Sequence, residues 1–345
     1  MKKIMAVYDE DPFYAERLSD YINRKERGIF KAQAFTSKES LAEYSRGHEI
    51  DVLLTGDVSD FEGTDTISTR QKLYLTGDEH TAGPNCIYKY QSGDDIIREV
   101  MAVYCELPEA AAIFPGLKEK GKQIVGIYSP VNRCGKTSLA LAVGQLLAKE
   151  EKVLFVCLDS FTGFTGLIDE CWKRDLSDLI YYYKQGRYNA IRLNSVIYYL
   201  GDMAWLPPIR FPEDFNQISS GEMAEMMAQI LKGSDYETLV LDIGDYGKQV
   251  TPLLEICQMV YMPVREDAVS RAKLREFEEY LEAAGKRGLK EKLQELHVPI
   301  MTGLKRMEHF PQELLWGDMG DFVRKLLKGQ RDLWENENAS CGNRF

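Results

Sequence analysis

The sequence predicts an α/β protein made of two successive doubly wound domains. Three observations predict it. Short apolar runs alternate with amphipathic stretches through residues 1–105, the alternation starts afresh at Gln123, and a polar stretch punctuated by Pro108, Pro115 and Gly116 separates the two series. Such alternation implies parallel strands with helices packed on both faces of the sheet. A chain of 345 residues suits two domains, each large enough to bury a core. The expected division is 1–105, a linker at 106–122, a second domain at 123–335 and a flexible polar tail at 336–345.

In the first series, strands are expected at Ile4–Tyr8, Phe30–Phe35, Val52–Thr55, Leu73–Thr76 and Ile87–Tyr90. Helices fit Pro12–Lys25, Lys38–Ser45 and Asp94–Cys105. The first of them carries Phe13, Leu18, Tyr21 and Ile22 on one apolar face. In the second series, strands are expected at Ile124–Tyr128, Val153–Leu158, Met203–Leu206, Thr238–Ile243, Met259–Pro263 and Val298–Thr302. Helices fit Lys136–Lys149, Ser219–Leu231, Glu266–Ala284 and Asp318–Lys328.

Composition narrows the function classes. A net charge of −11 with no long basic run disfavours nucleic acid as a partner, because phosphates repel an acidic chain. The seven cysteines are scattered, and no two form a C-x-x-C pair, so they read as reduced thiols. The opening Met1-Lys2-Lys3-Ile4 lacks the apolar stretch of a leader. No apolar run approaches the ~18 residues of a membrane span. A cytoplasmic protein is expected. Phe322-Val323-Arg324-Lys325-Leu326-Leu327-Lys328 is amphipathic and invites a peripheral membrane reading, but its apolar spacing equally suits packing on a core. Tyr181-Tyr182-Tyr183 could form an aromatic docking face or line a half-buried helix.

The strongest chemical signal runs from Ile124 to Ser138. An apolar strand enters a loop, and Gly135-Lys136-Thr137 then opens a helix. Main-chain N–H groups at a helix N-terminus attract an anion. Gly135 permits close approach, Lys136 adds a point charge, and Thr137 offers a hydroxyl to Mg²⁺. Pro130 stands where the phosphate-loop pattern has its first glycine. The plain alternative is a helix start capped by Thr137, with Lys136 in solvent. Two further strands end in carboxylates, Val153–Leu158 before Asp159 and Thr238–Leu241 before Asp242. Asp242 suits a carboxylate that positions Mg²⁺.

With these residues the chain resembles the MinD/ParA family of P-loop ATPases over about 123–330, and within it the TadZ/CpaE branch. Leu176–Tyr181 and Trp205-Leu206-Pro207-Pro208 also resemble that branch. The resemblance implies a MinD-like P-loop NTPase fold with ATP and Mg²⁺ as cofactors. It further implies slow hydrolysis, a homodimer, and a role in positioning a cell-surface assembly such as a Flp-type pilus or secretion machine at the cell pole or inner membrane face. It implies nucleotide contacts at Asn132, Arg133, Cys134, Gly135, Lys136, Thr137, Ser138, Pro263 and Arg265, Mg²⁺ on Thr137 and Asp242, and catalysis by Lys136, Asp159 and Asp242. The family loop, K-G-G-x-G-K-[ST], falls on Val131 to Thr137, so its first lysine is Val131 and its two glycines are Asn132 and Arg133. Arg133 is the candidate to replace that lysine, with a solvated or ion-paired arginine as the alternative. Asp245 is a turn residue or a sensor. The competing functions are a chromosome or plasmid partition ATPase and a nucleotide-dependent scaffold without turnover.

The first domain resembles a response-regulator receiver of the CheY-like (flavodoxin-like) fold. Asp9-Glu10-Asp11 resembles its acidic cluster, Thr76 its switch position and Lys89 its lysine. Thr55 or Gly56 stands where the phosphoacceptor belongs and Asp57 comes late. The resemblance therefore implies a pseudo-receiver used for docking or dimerisation, with a phosphorylated switch as the alternative.

Overall fold

The computed structural model describes residues 2–25, 29–56, 67–78, 83, 85–104, 121–168, 171–244, 250–299 and 310–341, the last of these without side chains beyond 329. The chain divides into two compact units, Met1–Ile113 and Phe114–Phe345. Asp57, Asp245 and nearly all of the expected linker lie outside the described residues.

The first unit runs β1 (Lys3–Tyr8), α1 (Pro12–Arg24), β2 (Phe30–Phe35), α2 (Lys38–Gly47), β3 (Ile50–Thr55), β4 (Thr69–Thr76), β5 (Cys86–Tyr88) and α3 (Gly93–Tyr104). Its five strands are all parallel in the order β2-β1-β3-β4-β5. That is the flavodoxin-like doubly wound order. Every residue of β3 is buried, as a strand covered on both faces must be.

The second unit begins with β6 (Gln123–Ile127), α4 (Lys136–Leu147), β7 (Val153–Leu158), the single turn α5 (Phe164–Leu167), α6 (Leu176–Lys184) and α7 (Ala190–Val196). There follow β8 (Tyr198–Leu200), β9 (Met203–Leu206), α8 (Ser220–Gly233), β10 (Thr238–Ile243), α9 (Thr251–Ile256) and β11 (Met259–Pro263). It closes with α10 (Ala268–Ala283), β12 (Leu293–Leu296), α11 (Phe310–Trp316) and α12 (Asp318–Cys341). The sheet order is β12-β11-β6-β10-β7-β9-β8. All pairs are parallel except β8 with β9, a hairpin turning at Gly201, whose φ is 62°. The central strands β7 and β10 are buried at every residue.

Two expectations change. The last strand is Leu293–Leu296, paired with β11, and Val298 lies beyond it. Pro299 has no N–H to give a ladder, which disfavours a strand across that apolar run; residues 300–302 are not among those described. The final helix does not stop near Lys328 but continues to Cys341, through the first part of the expected tail. Its amphipathic stretch packs inward. Met319 and Val323 are fully buried, and Phe322, Leu326 and Leu327 rest on the cluster that contains Leu139, Val143 and Leu146 of α4. Among the described residues no helix is long and apolar enough to cross a membrane. Of the three tyrosines on α6, Tyr181 is exposed, Tyr183 packs on the core, and the Tyr182 ring faces the Arg192 guanidinium at 4.5 Å.

Candidate phosphate site

The site lies where β6, β10 and β7, three adjacent strands, release their chains at the carboxyl edge of the sheet. In register, Asp242 stands beside Ile127 on one side and Cys157 on the other. Open α/β sheets place ligand crevices at this edge.

From β6 the chain passes through 128–135 into α4. Loop and helix are braced from within. The Val131 N–H donates to the buried Ser129 hydroxyl at 3.1 Å, and the Cys134 thiol donates to the Val131 carbonyl at 3.0 Å. Val131 is only 4% exposed, so no reaching side chain starts from that position. Gly135, the N-cap of α4, has φ 89° and packs against Val298, whose Cγ2 would lie 3.2 Å from an added Cβ. An L-residue would be strained there, and this explains the glycine.

Other helices of the unit close their N-termini with a side chain: Asp175 on α6, Ser219 on α8 and Asp267 on α10. No side chain caps α4. Its first-turn N–H groups therefore keep their affinity for an anion from outside. Lys136 and Thr137 occupy the first two helical positions, half-buried, with Ser138 next.

Arg133 is exposed and has φ 57°, making it the one non-glycine residue with positive φ among the described residues. This conformation costs an L-residue about 1–2 kcal/mol. Asn132 beside it is also exposed.

Asp242 is completely buried. Its Oδ2 accepts from the Cys157 thiol at 3.2 Å, while Oδ1 has no protein partner. Burial pushes its carboxyl above the ordinary range; the nearby Thr137 hydroxyl, the Cys157 thiol and the charge of Lys136 oppose that, and Asp159 adds to it. Burial beside Asp242 and Asp159 raises the Cys157 thiol well above its usual range, so it is protonated and a donor. Asp159 leaves β7 directly against Gly244: an added Cβ would sit 2.6 Å from its Oδ2 and closer still to Cγ. The Gly244 N–H donates to the Leu158 carbonyl at 3.0 Å, which locks the two strand ends together.

Lys136, Thr137, Asp159 and Asp242 thus meet. Pro263, buried, and Arg265, exposed, stand at the end of β11, on the other side of β6 from the carboxylates. Cys157, Ser129 and Gly244 were not singled out by sequence. The signal for Cys157 lay in its place opposite Asp242, which becomes visible only once strand register is known. A hard divalent cation would find a carboxylate oxygen on Asp242 and a hydroxyl on Thr137, a donor set of the right chemistry. Among the described residues no group of three or more His, Cys, Asp or Glu side chains could hold a metal alone.

In the first unit, the corresponding carboxylate is occupied. Asp9 pairs with Lys89 at 2.6 Å through Oδ2 and accepts the Asp11 N–H at 2.9 Å through Oδ1. The Lys89 ammonium also lies 4.3 Å from the Tyr14 ring centre. Asp11 caps α1, accepting from the N–H groups of Phe13 and Tyr14, and Glu10 is exposed. Thr55 is fully buried with an unpartnered hydroxyl, and the Thr76 hydroxyl donates to the Asp78 carbonyl.

No family model and no curated protein sequence matches the chain. Solved structures resemble it distantly. Cobyrinic acid a,c-diamide synthase from Mycobacterium smegmatis, solved with a bound ATP analog and magnesium, is 13% identical at TM-score 0.40, over 56% of this chain and 78% of that one. A ParA family ATPase from Chlorobium tepidum is 15% identical at TM-score 0.42, over 56% and 81%. The MinC:MinD cell division protein complex of Aquifex aeolicus gives 16% and 0.39, over 50% and 67%. At such values the likeness says nothing of what this chain binds.

Proposed function

We propose that the second unit is an ATP-binding, slowly hydrolysing ATPase of MinD/ParA type. The observation that carries the reading is the uncapped N-terminus of α4 facing a buried Asp242 with one orphaned oxygen. An unsatisfied buried carboxylate oxygen is costly unless something arrives to use it. In this reading the N–H groups of Cys134 to Ser138 wrap the phosphates, with Asn132 and Arg133 at the loop tip, and Lys136 neutralises the β- and γ-oxygens. Pro263 and Arg265 contact the base. Thr137 and Asp242 would hold Mg²⁺, which would supply charge neutralisation beside the γ-phosphoryl. Asp159 orients the attacking water. Binding and release of the triphosphate act on the strand ends tied at Gly244, so the output is a change of shape and of pairing between two copies.

The resemblance to the TadZ/CpaE branch extends the proposal to a homodimer that positions a cell-surface assembly such as a Flp-type pilus, with the first unit as a pseudo-receiver for docking. In this reading the Asp9–Lys89 pair is part of that domain's own architecture. Phosphate release by wild-type protein and by Lys136→Ala tests the enzyme. Turnover that survives the substitution would show that another protein in the preparation hydrolyses ATP. Binding without turnover would favour the scaffold.

A further inference from the structure

We propose that Arg133 is the group that neutralises the charge developing on the γ-phosphoryl during hydrolysis. The inference rests on the ATPase reading above. It starts from an outlier: among the described residues, Arg133 is the one side-chain-bearing residue held in the left-handed region. Glycine would hold the same backbone without strain, as Gly135 does two residues later. Strained residues cluster where a side chain has work that outweighs the strain. Nothing structural accounts for this one. Arg133 is exposed, and no hydrogen bond or ion pair joins it to another described residue.

The loop has need of such a group. Val131 is apolar and buried, so the cations that start within the loop and first turn are Arg133 and Lys136. The second, independent sign of a ligand here is the fully buried Asp242 Oδ1 without a partner. In the reaction, a water oxygen bonds to the γ-phosphorus as the bond from that phosphorus to the β–γ bridging oxygen breaks. The electron pair leaves with ADP, and the water's protons pass to phosphate and solvent. Arg133 forms no bond to phosphorus. Its planar, always-charged fork donates to equatorial γ-oxygens as their charge rises.

The test is Arg133→Gly, with Arg133→Lys beside it. If the arginine is present for chemistry, glycine relieves the backbone and raises the thermal midpoint. The same substitution lowers kcat on the order of 10³-fold, the range of activating arginines, and leaves the calorimetric Kd for ATP·Mg²⁺ within about threefold, since ground-state binding does not use it. Lysine retains part of kcat. Three results overturn the proposal: a glycine variant with wild-type turnover, a glycine variant with a lowered midpoint, or wild-type protein that binds ATP without releasing phosphate. Wild-type protein that binds no ATP contradicts the ATPase reading itself, and the calorimetric arm detects that separately.

Discussion

The two units of this chain each bury an aspartate at the carboxyl edge of a parallel sheet, and the two aspartates differ in what is left over. Asp9 spends both oxygens inside its own unit, one on Lys89 and one on the Asp11 N–H. Asp242 spends one on the Cys157 thiol and has the other bare, in complete burial. A satisfied carboxylate is a piece of architecture. An unsatisfied one at the mouth of an uncapped helix is what the proposed ligand would use. Similar folds and similar placement therefore carry opposite readings, and the difference lies in hydrogen-bond accounting rather than in topology.

The comparison breaks most visibly under substitution of the two cations. Removing Lys89 leaves Asp9 charged, buried and unpaired. Lys89→Met should destabilise the first unit by about 3 kcal/mol or more, read by denaturant unfolding, with ATP binding unchanged. Lys136→Ala should do the reverse. It should weaken ATP·Mg²⁺ binding at least ~30-fold, or about 2 kcal/mol, while unfolding stays near wild type. If Lys136→Ala instead collapses the fold and Lys89→Met does not, the two carboxylates have been assigned the wrong way round.

Asp242 sharpens the contrast through pH. The free carboxyl titrates near 3.8, and burial holds the folded group above that. Between the two values the folded chain keeps a proton that the unfolded chain has lost, so this group's contribution to stability falls as pH rises through the window. Metal binding needs the carboxylate, so Mg²⁺-dependent binding weakens as pH falls through the same window. Asp242→Asn should flatten both profiles and raise the midpoint of the ligand-free protein by a few degrees, about 1 kcal/mol or more of relief. An unaltered pH profile would mean that Asp242 is not the titrating group. The smallest expected effect is at Asp11, where loss of the α1 cap in Asp11→Ala should cost about 1 kcal/mol without touching nucleotide binding.

Much of the fold was legible because its central strands are local apolar runs: Val153–Leu158, Thr238–Ile243 and Met259–Pro263 begin and end where the sequence places them. The passage from β6 into α4 was legible for the same reason, since strand, loop and helix start are contiguous. Tyr198–Leu200 was not, because three residues closing a hairpin leave too little pattern. The strand expected at 298–302 followed an apolar run across Pro299, and the pairing with β11 falls five residues earlier, at Leu293–Leu296. The inner side of the site was hidden altogether. Cys157 donates to a carboxylate 85 residues away, and only the register of β7 on β10 brings them opposite. Nor does an arginine in a sequence announce a left-handed backbone.

The most direct test of the central claim is isothermal calorimetry of the full chain with ATP and Mg²⁺, run in parallel on Lys136→Ala, with light scattering on the same samples. Saturable heat in the wild type, its loss in the variant and a doubling of mass with the triphosphate are the expected results. Wild-type protein that takes up no purine triphosphate, with or without magnesium, would contradict the account.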